Sequence, residues 1–206
     1  MTRLYLTSLF SVSANVFGHY ERGLAGKTVT FIPTASLPEP DTGYVELAKQ
    51  AFAALGMALD VLEITTTEQD AIRQRILAND YIYVAGGNTF FLLQELKRSG
   101  TDSLIVEQVR AGKPYIGESA GSAIVAPSIA YVRDMDDASI AKELASYESL
   151  NLIDFYPLPH FGNAPYKEAA ERILLRYADE LALMPFSNDQ LLVVNEGHPE
   201  LLGGDD

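Results

Sequence analysis

The sequence predicts an α/β protein, a three-layer sandwich with a mostly parallel central sheet, and three observations predict it. Short apolar runs rich in β-branched and aromatic residues alternate along the chain with stretches of helical spacing. Glycines stand where those helices should end, at Gly56, Gly100 and Gly112. Two glycine turns, Ala85-Gly86-Gly87-Asn88 and Gly117-Glu118-Ser119-Ala120-Gly121, each follow a predicted strand. Strands alternating with helices make a parallel sheet covered on both faces, and such sheets take ligands at their carboxyl ends.

Taken in order, strands are expected over residues 4–7 and 28–33, before a helix over 44–55 that stops at Gly56. A strand over 59–64 and a helix over 68–77 lead to the apolar strand 81–84. The next helix starts at Thr89, is periodic over 90–97 and ends before Gly100. Pro114, Tyr115 and Ile116 form a short strand; Ser122 to Ala126 form a small-residue helix stopped by Pro127. An apolar run over 152–156 precedes an irregular segment, and a late strand covers 191–194. Neither a repeat nor a linker interrupts this order, so residues 1–206 read as one domain.

Composition excludes several function classes. A net charge of −13 disfavours nucleic acid and anionic membranes, both of which need clustered Lys and Arg. The chain has no cysteine, which removes disulfides, thiolate catalysis and Cys-ligated metals. Its apolar runs fall short of a membrane span, and Arg3-Leu4-Tyr5-Leu6 reads as a strand rather than a leader. The expected location is cytoplasmic. The acidic end, Gly203-Gly204-Asp205-Asp206, is expected to fray.

The chemistry gathers at the two glycine turns. Gly117-Glu118-Ser119-Ala120-Gly121 matches G-x-S-x-G between a strand and a helix, a sharp turn that lifts Ser119 Oγ clear of the sheet. Glu118 is expected at substrate or water, against the plainer reading of an exposed turn carboxylate. Gly86-Gly87 lets a backbone N–H approach a developing oxyanion, although Asn88 as a simple helix cap explains the same turn. Of three histidines, His19 has no evident partner and His198 falls in a turn between late strands. His160 opens an irregular segment, where catalytic side chains commonly sit.

Four segments, GGNTFFLLQEL (86–96), GESAGS (117–122), RDMD (133–136) and LPHFGN (158–163), resemble the successive motifs of the peptidase E family. The resemblance covers nearly the whole chain. It implies a fold similar to class I glutamine amidotransferases and a serine peptidase acting on small peptides, without metal or cofactor. Carried over by position, Ser119 matches the nucleophile, His160 the general base, and Gly87 with Ala120 the oxyanion-hole N–H groups. Asp134 matches an acid assigned to the charge relay. Other family descriptions place that acid in a late loop, where the match falls on Asn188 with Asp189 beside it.

Aspartyl dipeptidases in this family are expected to carry an arginine shortly after the catalytic histidine, because bidentate recognition of a carboxylate needs one. Here Arg172 falls within a helix and reads as a surface residue paired with Glu168, while Lys167 offers only a point charge. Specificity not restricted to N-terminal Asp is therefore expected. The alternatives are an esterase and a catalytically weak member used for binding or regulation. A homodimer stays open.

Overall fold

The computed structural model describes residues 2–204; Asp205 and Asp206, at the end expected to fray, lie outside the described residues. The elements run β1 (Arg3–Thr7), α1 (Phe10–Tyr20), β2 (Thr28–Ile32), α2 (Gly43–Ala54), β3 (Ala58–Val61), α3 (Gln69–Ala78), β4 (Tyr81–Val84), α4 (Thr89–Ser99) and α5 (Thr101–Arg110). They continue as β5 (Tyr115–Glu118), α6 (Ala120–Ala123), β6 (Tyr156–Leu158), α7 (Lys167–Tyr177), β7 (Leu183–Pro185), β8 (Leu191–Asn195) and β9 (His198–Leu202).

A seven-stranded sheet has the order β3-β2-β4-β5-β1-β8-β9. From β3 to β1 the neighbours are parallel; β8 runs antiparallel to β1, and β9 to β8. The expected α/β fold with a mostly parallel sheet is what the chain forms. Strand periodicity sorts its core into two halves. Leu4, Leu6, Ile82, Val84, Leu192 and Val194 face the half that contains α3, α4 and α5. Tyr5, Tyr81, Tyr83, Ile116, Leu191 and Val193 face the half that contains Phe10, Phe17 and Phe52 of α1 and α2. There Phe10 stacks on Phe52, with centroids 4.2 Å apart.

Several elements differ from expectation; α6, for one, spans Ala120–Ala123 rather than residues 122–126. β3 ends at Val61 rather than Ile64, because β2 offers it only four register partners before the chain turns away. The buried Leu62 and Ile64 follow outside the ladder. A separate parallel pair, β6 with β7, lies off the main sheet; strands of three residues carry no readable periodicity. His198, expected in a turn, instead opens β9 opposite Asn195, after the tight β8–β9 hairpin turn with Glu196 and Gly197 at φ 50° and 84°. Parallel strands β4, β5 and β1 all release their carboxyl ends on one edge, and the glycine turns meet there.

Candidate active site

Ser119 sits between β5 and α6 at φ 49°, ψ −105°, a conformation that non-glycine residues seldom adopt. The surrounding backbone enforces it. A Cβ on Gly117 would lie 2.4 Å from the Gly121 carbonyl oxygen, and one on Gly121 would lie 2.1 Å from that of Val84. Both flanking glycines are therefore required by close backbone approach. The fully buried Ser122 completes the clamp: its Oγ accepts from Thr7 N–H at 3.0 Å and lies 2.8 Å from the carbonyl oxygens of Thr7 and Gly117. Ser119 N–H donates to Thr7 O at 2.8 Å.

The other glycine turn is equally tight. Gly87 has φ 130°, and its Cβ position lies 2.1 Å from Ala35 O. Asn88 N–H donates to that same oxygen at 2.9 Å, while Asn88 Oδ1 caps α4 by accepting from Phe91 N–H. Cap and close approach, weighed as alternatives from the sequence, are both present. Among the described residues, no protein acceptor takes the N–H of Gly87 or of Ala120. Ala120 opens α6, where intrahelical partners are missing by construction.

His160 comes from the irregular segment after β6, at φ 62°. Its N–H donates to Ser8 Oγ at 2.8 Å, and Ser8 Oγ in turn reaches Phe186 O, so the end of β1 ties the two late loops together. The imidazole Nε2 lies 2.9 Å from Ser119 Oγ, and Nδ1 lies 2.9 Å from Asn188 Oδ1. An amide oxygen at Nδ1 makes that nitrogen the donor and leaves the Nε2 lone pair for the serine proton. Burial pushes the His160 pKa down, with the Asn188 hydrogen bond opposing the shift. The ring also lies against Tyr166, with centroids 4.8 Å apart.

The structure thus brings Ser119, His160, Gly87 and Ala120 together and leaves Asp134 elsewhere. Asp134 Oδ1 and Oδ2 lie 3.2 and 3.1 Å from Arg176 Nη1 of α7. The physical reason is local: the 3-10 turn Ala130–Asp134 packs on α7, away from the edge where Nδ1 of His160 points. Asp189 does not reach the imidazole either; it is exposed and accepts from Ser187 Oγ. Of the RDMD segment it is Asp136 that lies half-buried near the site, where it accepts from Thr89 N–H at 2.9 Å at the start of α4.

Glu118 is not an exposed turn carboxylate. It is 1% exposed, with Oε2 accepting from Tyr83 Oη at 2.6 Å and Phe10 N–H at 3.1 Å. Burial lifts its pKa to about 7 against those two hydrogen bonds. The signal was present in the strand pattern: Glu118 shares parity with Ile116, which faces the Phe10 half of the core. Above Ser119 opens a cavity of about 420 Å³, whose lining includes Glu118, Gly87, Tyr44, Tyr166, His160 and Asn188. Arg172 and Lys167 do not line it; both are exposed on α7, and the expected Arg172–Glu168 ion pair does not form among the described residues.

Comparison with known proteins places the chain in a family. The family model for peptidase family S51 matches residues 10–202. An uncharacterized peptidase of Listeria monocytogenes is 48% identical over 194 residues, 94% of this chain and 95% of the relative. A peptidase E of Streptomyces coelicolor is 33% identical over 188 residues, 88% of this chain and 73% of the relative. A 1.5 Å crystal structure of a Listeria monocytogenes protein assigned to peptidase E superposes with a TM-score of 0.95 at 45% identity, covering 100% of both chains. A turn-borne serine in contact with a histidine, in a chain matched to one family along almost its whole length, has one reading: the chain belongs to peptidase family S51, the peptidase E family, and is a peptidase.

Proposed function

We propose that the protein hydrolyses small peptides as a serine peptidase through an acyl-enzyme, with specificity not restricted to N-terminal Asp. The observation that carries this reading is the line Ser119 Oγ, His160 Nε2, His160 Nδ1, Asn188 Oδ1, with 2.9 Å at both contacts. Ser119 Oγ attacks the scissile carbonyl carbon as His160 Nε2 takes its proton. The oxyanion is met by the N–H groups of Gly87 and Ala120, which have no other acceptor among the described residues. Protonated His160 then gives its proton to the leaving amine. Water, activated by the same nitrogen, releases the acid product and frees Ser119.

Asn188 in place of an acid holds the imidazole in the required tautomer but does not neutralise the imidazolium. That observation favours a second reading, a catalytically weak member used for binding. One experiment separates the two. Wild type and Ser119→Ala are assayed on a panel of Asp-Leu, Ala-Leu, Gly-Leu and Met-Leu, with and without a chelator. Hydrolysis by wild type, lost in Ser119→Ala with folding intact and indifferent to the chelator, is expected. Equal rates for the two proteins remove the serine mechanism. Preference for Asp-Leu beyond about 10²-fold, roughly 2.7 kcal/mol, removes the relaxed specificity.

A further inference from the structure

The cavity over Ser119 is lined by three carboxylates, Glu39, Asp41 and Glu118, and by no lysine or arginine. Acidic residues gathered in a pocket are not by themselves a site. Glu118 uses its two oxygens unequally. Oε2 is committed to Tyr83 and to the Phe10 N–H, whereas Oε1 has no hydrogen-bond donor among the described residues. This side chain, only 1% exposed, still forms part of the cavity wall. The Cβ position of Gly86 lies 3.2 Å from Ser119 Cβ and 3.4 Å from Glu118 Oε1, so the free oxygen stands close to the nucleophile. Glu39, half-buried at the lip, forms no ion pair among the described residues, and burial pushes its carboxyl up from the ordinary value. Both Glu39 and Glu118 act on the Tyr44 phenol, which burial first and these carboxylates next push upward. The two acids therefore flank one tyrosine wall of the cavity.

A carboxyl in a dry wall is relieved either by a proton or by a cation that meets its free oxygen. We propose that this cavity selects substrates by a positive charge. The free Oε1 of Glu118, with Glu39 at the lip, accepts hydrogen bonds from an ammonium or guanidinium group on the residue that precedes the scissile bond. The proposal rests on reading Ser119 as the nucleophile. In an acyl group on Ser119, the α-nitrogen lies only two bonds from the carbonyl carbon, which suits the inner Glu118. A lysine or arginine side chain lying along Tyr44 reaches outward, which suits Glu39. Both are the same chemistry from two sources, the amino end of the peptide or its first side chain.

The test is binding to Ser119→Ala by calorimetry, which does not depend on turnover. Ala-Leu against acetyl-Ala-Leu reads the α-ammonium; acetyl-Lys-Leu against acetyl-Met-Leu reads the side chain. At least one charged peptide should bind about 10-fold to 100-fold tighter than its neutral counterpart, the scale of a charge-assisted hydrogen bond. Adding Glu118→Gln should remove the gain for Ala-Leu, and Glu39→Gln that for acetyl-Lys-Leu. In Glu118→Gln the new amide oxygen would stay with Phe10 N–H and Tyr83, which turns an N–H donor toward the incoming cation. Charged and neutral peptides binding equally in both pairs overturns the proposal, whether or not the Gln variants fold. Failure of the peptidase reading shows separately, as absence of Ser119-dependent hydrolysis by the wild type.

Discussion

The turn that carries Ser119 and the loop that carries His160 meet at a single 2.9 Å contact, yet they are held in different ways. Around Ser119 the restraint is backbone against backbone: Gly117 and Gly121 lie where a methyl group would strike a carbonyl, and the buried Ser122 binds two strands. Around His160 the restraint comes from side chains far apart in sequence, Ser8, Asn188 and Tyr166. Ser119 is built into the sheet; His160 is docked onto it. A docked element tolerates substitution better and loses function before it loses fold.

Glycine substitutions should expose this difference most strongly. Gly121→Ala drives a methyl to 2.1 Å from Val84 O at the carboxyl end of β4. The loss expected is at least about 3 kcal/mol, and the variant is expected to fail to give soluble folded protein. Gly162→Ala, beside His160, meets nothing within 4 Å and bears only the strain of φ 78°. Its expected cost is about 1 kcal/mol. Denaturant midpoints measured side by side decide it. Similar midpoints for the two variants would mean that the turn relaxes and is not built in as described.

Asn188 probes the docked side. Asn188→Ala should lower kcat about 10²-fold with folding intact, because the imidazole loses the acceptor that fixes its tautomer. Asn188→Asp should keep activity and raise the His160 pKa, since a carboxylate favours the imidazolium. The acid limb of kcat/KM therefore moves to higher pH in Asn188→Asp. In the wild type, burial holds that limb below the ordinary imidazole value. An unmoved limb in Asn188→Asp would detach residue 188 from His160.

The same contrast explains what could be read from the sequence. G-x-S-x-G at a strand end is a local pattern, so Ser119, its glycines and the sheet that presents them were legible from periodicity and turn chemistry alone. His160 was visible only as one of three histidines until the motif order singled it out. Its partner was the least legible, because Asn188 meets the ring through a contact 28 residues apart that no local rule predicts. Position alone favoured Asp134, a carboxylate in a run of charges. Packing of its 3-10 turn on α7 gave it to Arg176. Glu118, expected at substrate or water, lines the cavity; its plainer reading as an exposed turn carboxylate fails because it is the last residue of β5 and is buried.

Glu118 also sets a pH dependence on the built-in side. Desolvation raises its native pKa to about 7 from an ordinary 4.5. Between those values the native state holds a proton that the unfolded chain has released. The stability it contributes is complete below the unfolded pKa and is lost as pH rises through the native one. Glu118→Gln has no proton to release. Relative to that variant, the wild type should lose on the order of 3 kcal/mol from about pH 4.5 to about pH 8. Chemical denaturation of both proteins across that range checks it. Parallel curves would mean that Glu118 is better solvated than its burial implies.

The smallest effect is expected at Asp134. Its partner Arg176 has a side chain 54% exposed, so water screens the guanidinium end of the pair, while Asp134 Oδ2 is itself out of contact with solvent. Such surface ion pairs contribute under about 1 kcal/mol. Asp134→Asn should therefore lower stability by less than that. It should also leave kcat within about twofold, because no hydrogen bond runs from Asp134 to His160. Arg176→Ala should match it in both respects, whereas a residue of the relay would break that equality by lowering kcat alone. A fall in kcat of orders of magnitude in Asp134→Asn, absent in Arg176→Ala, would return the orienting role to Asp134. The docked loop would then have to reach it by a rearrangement larger than any contact around His160 suggests.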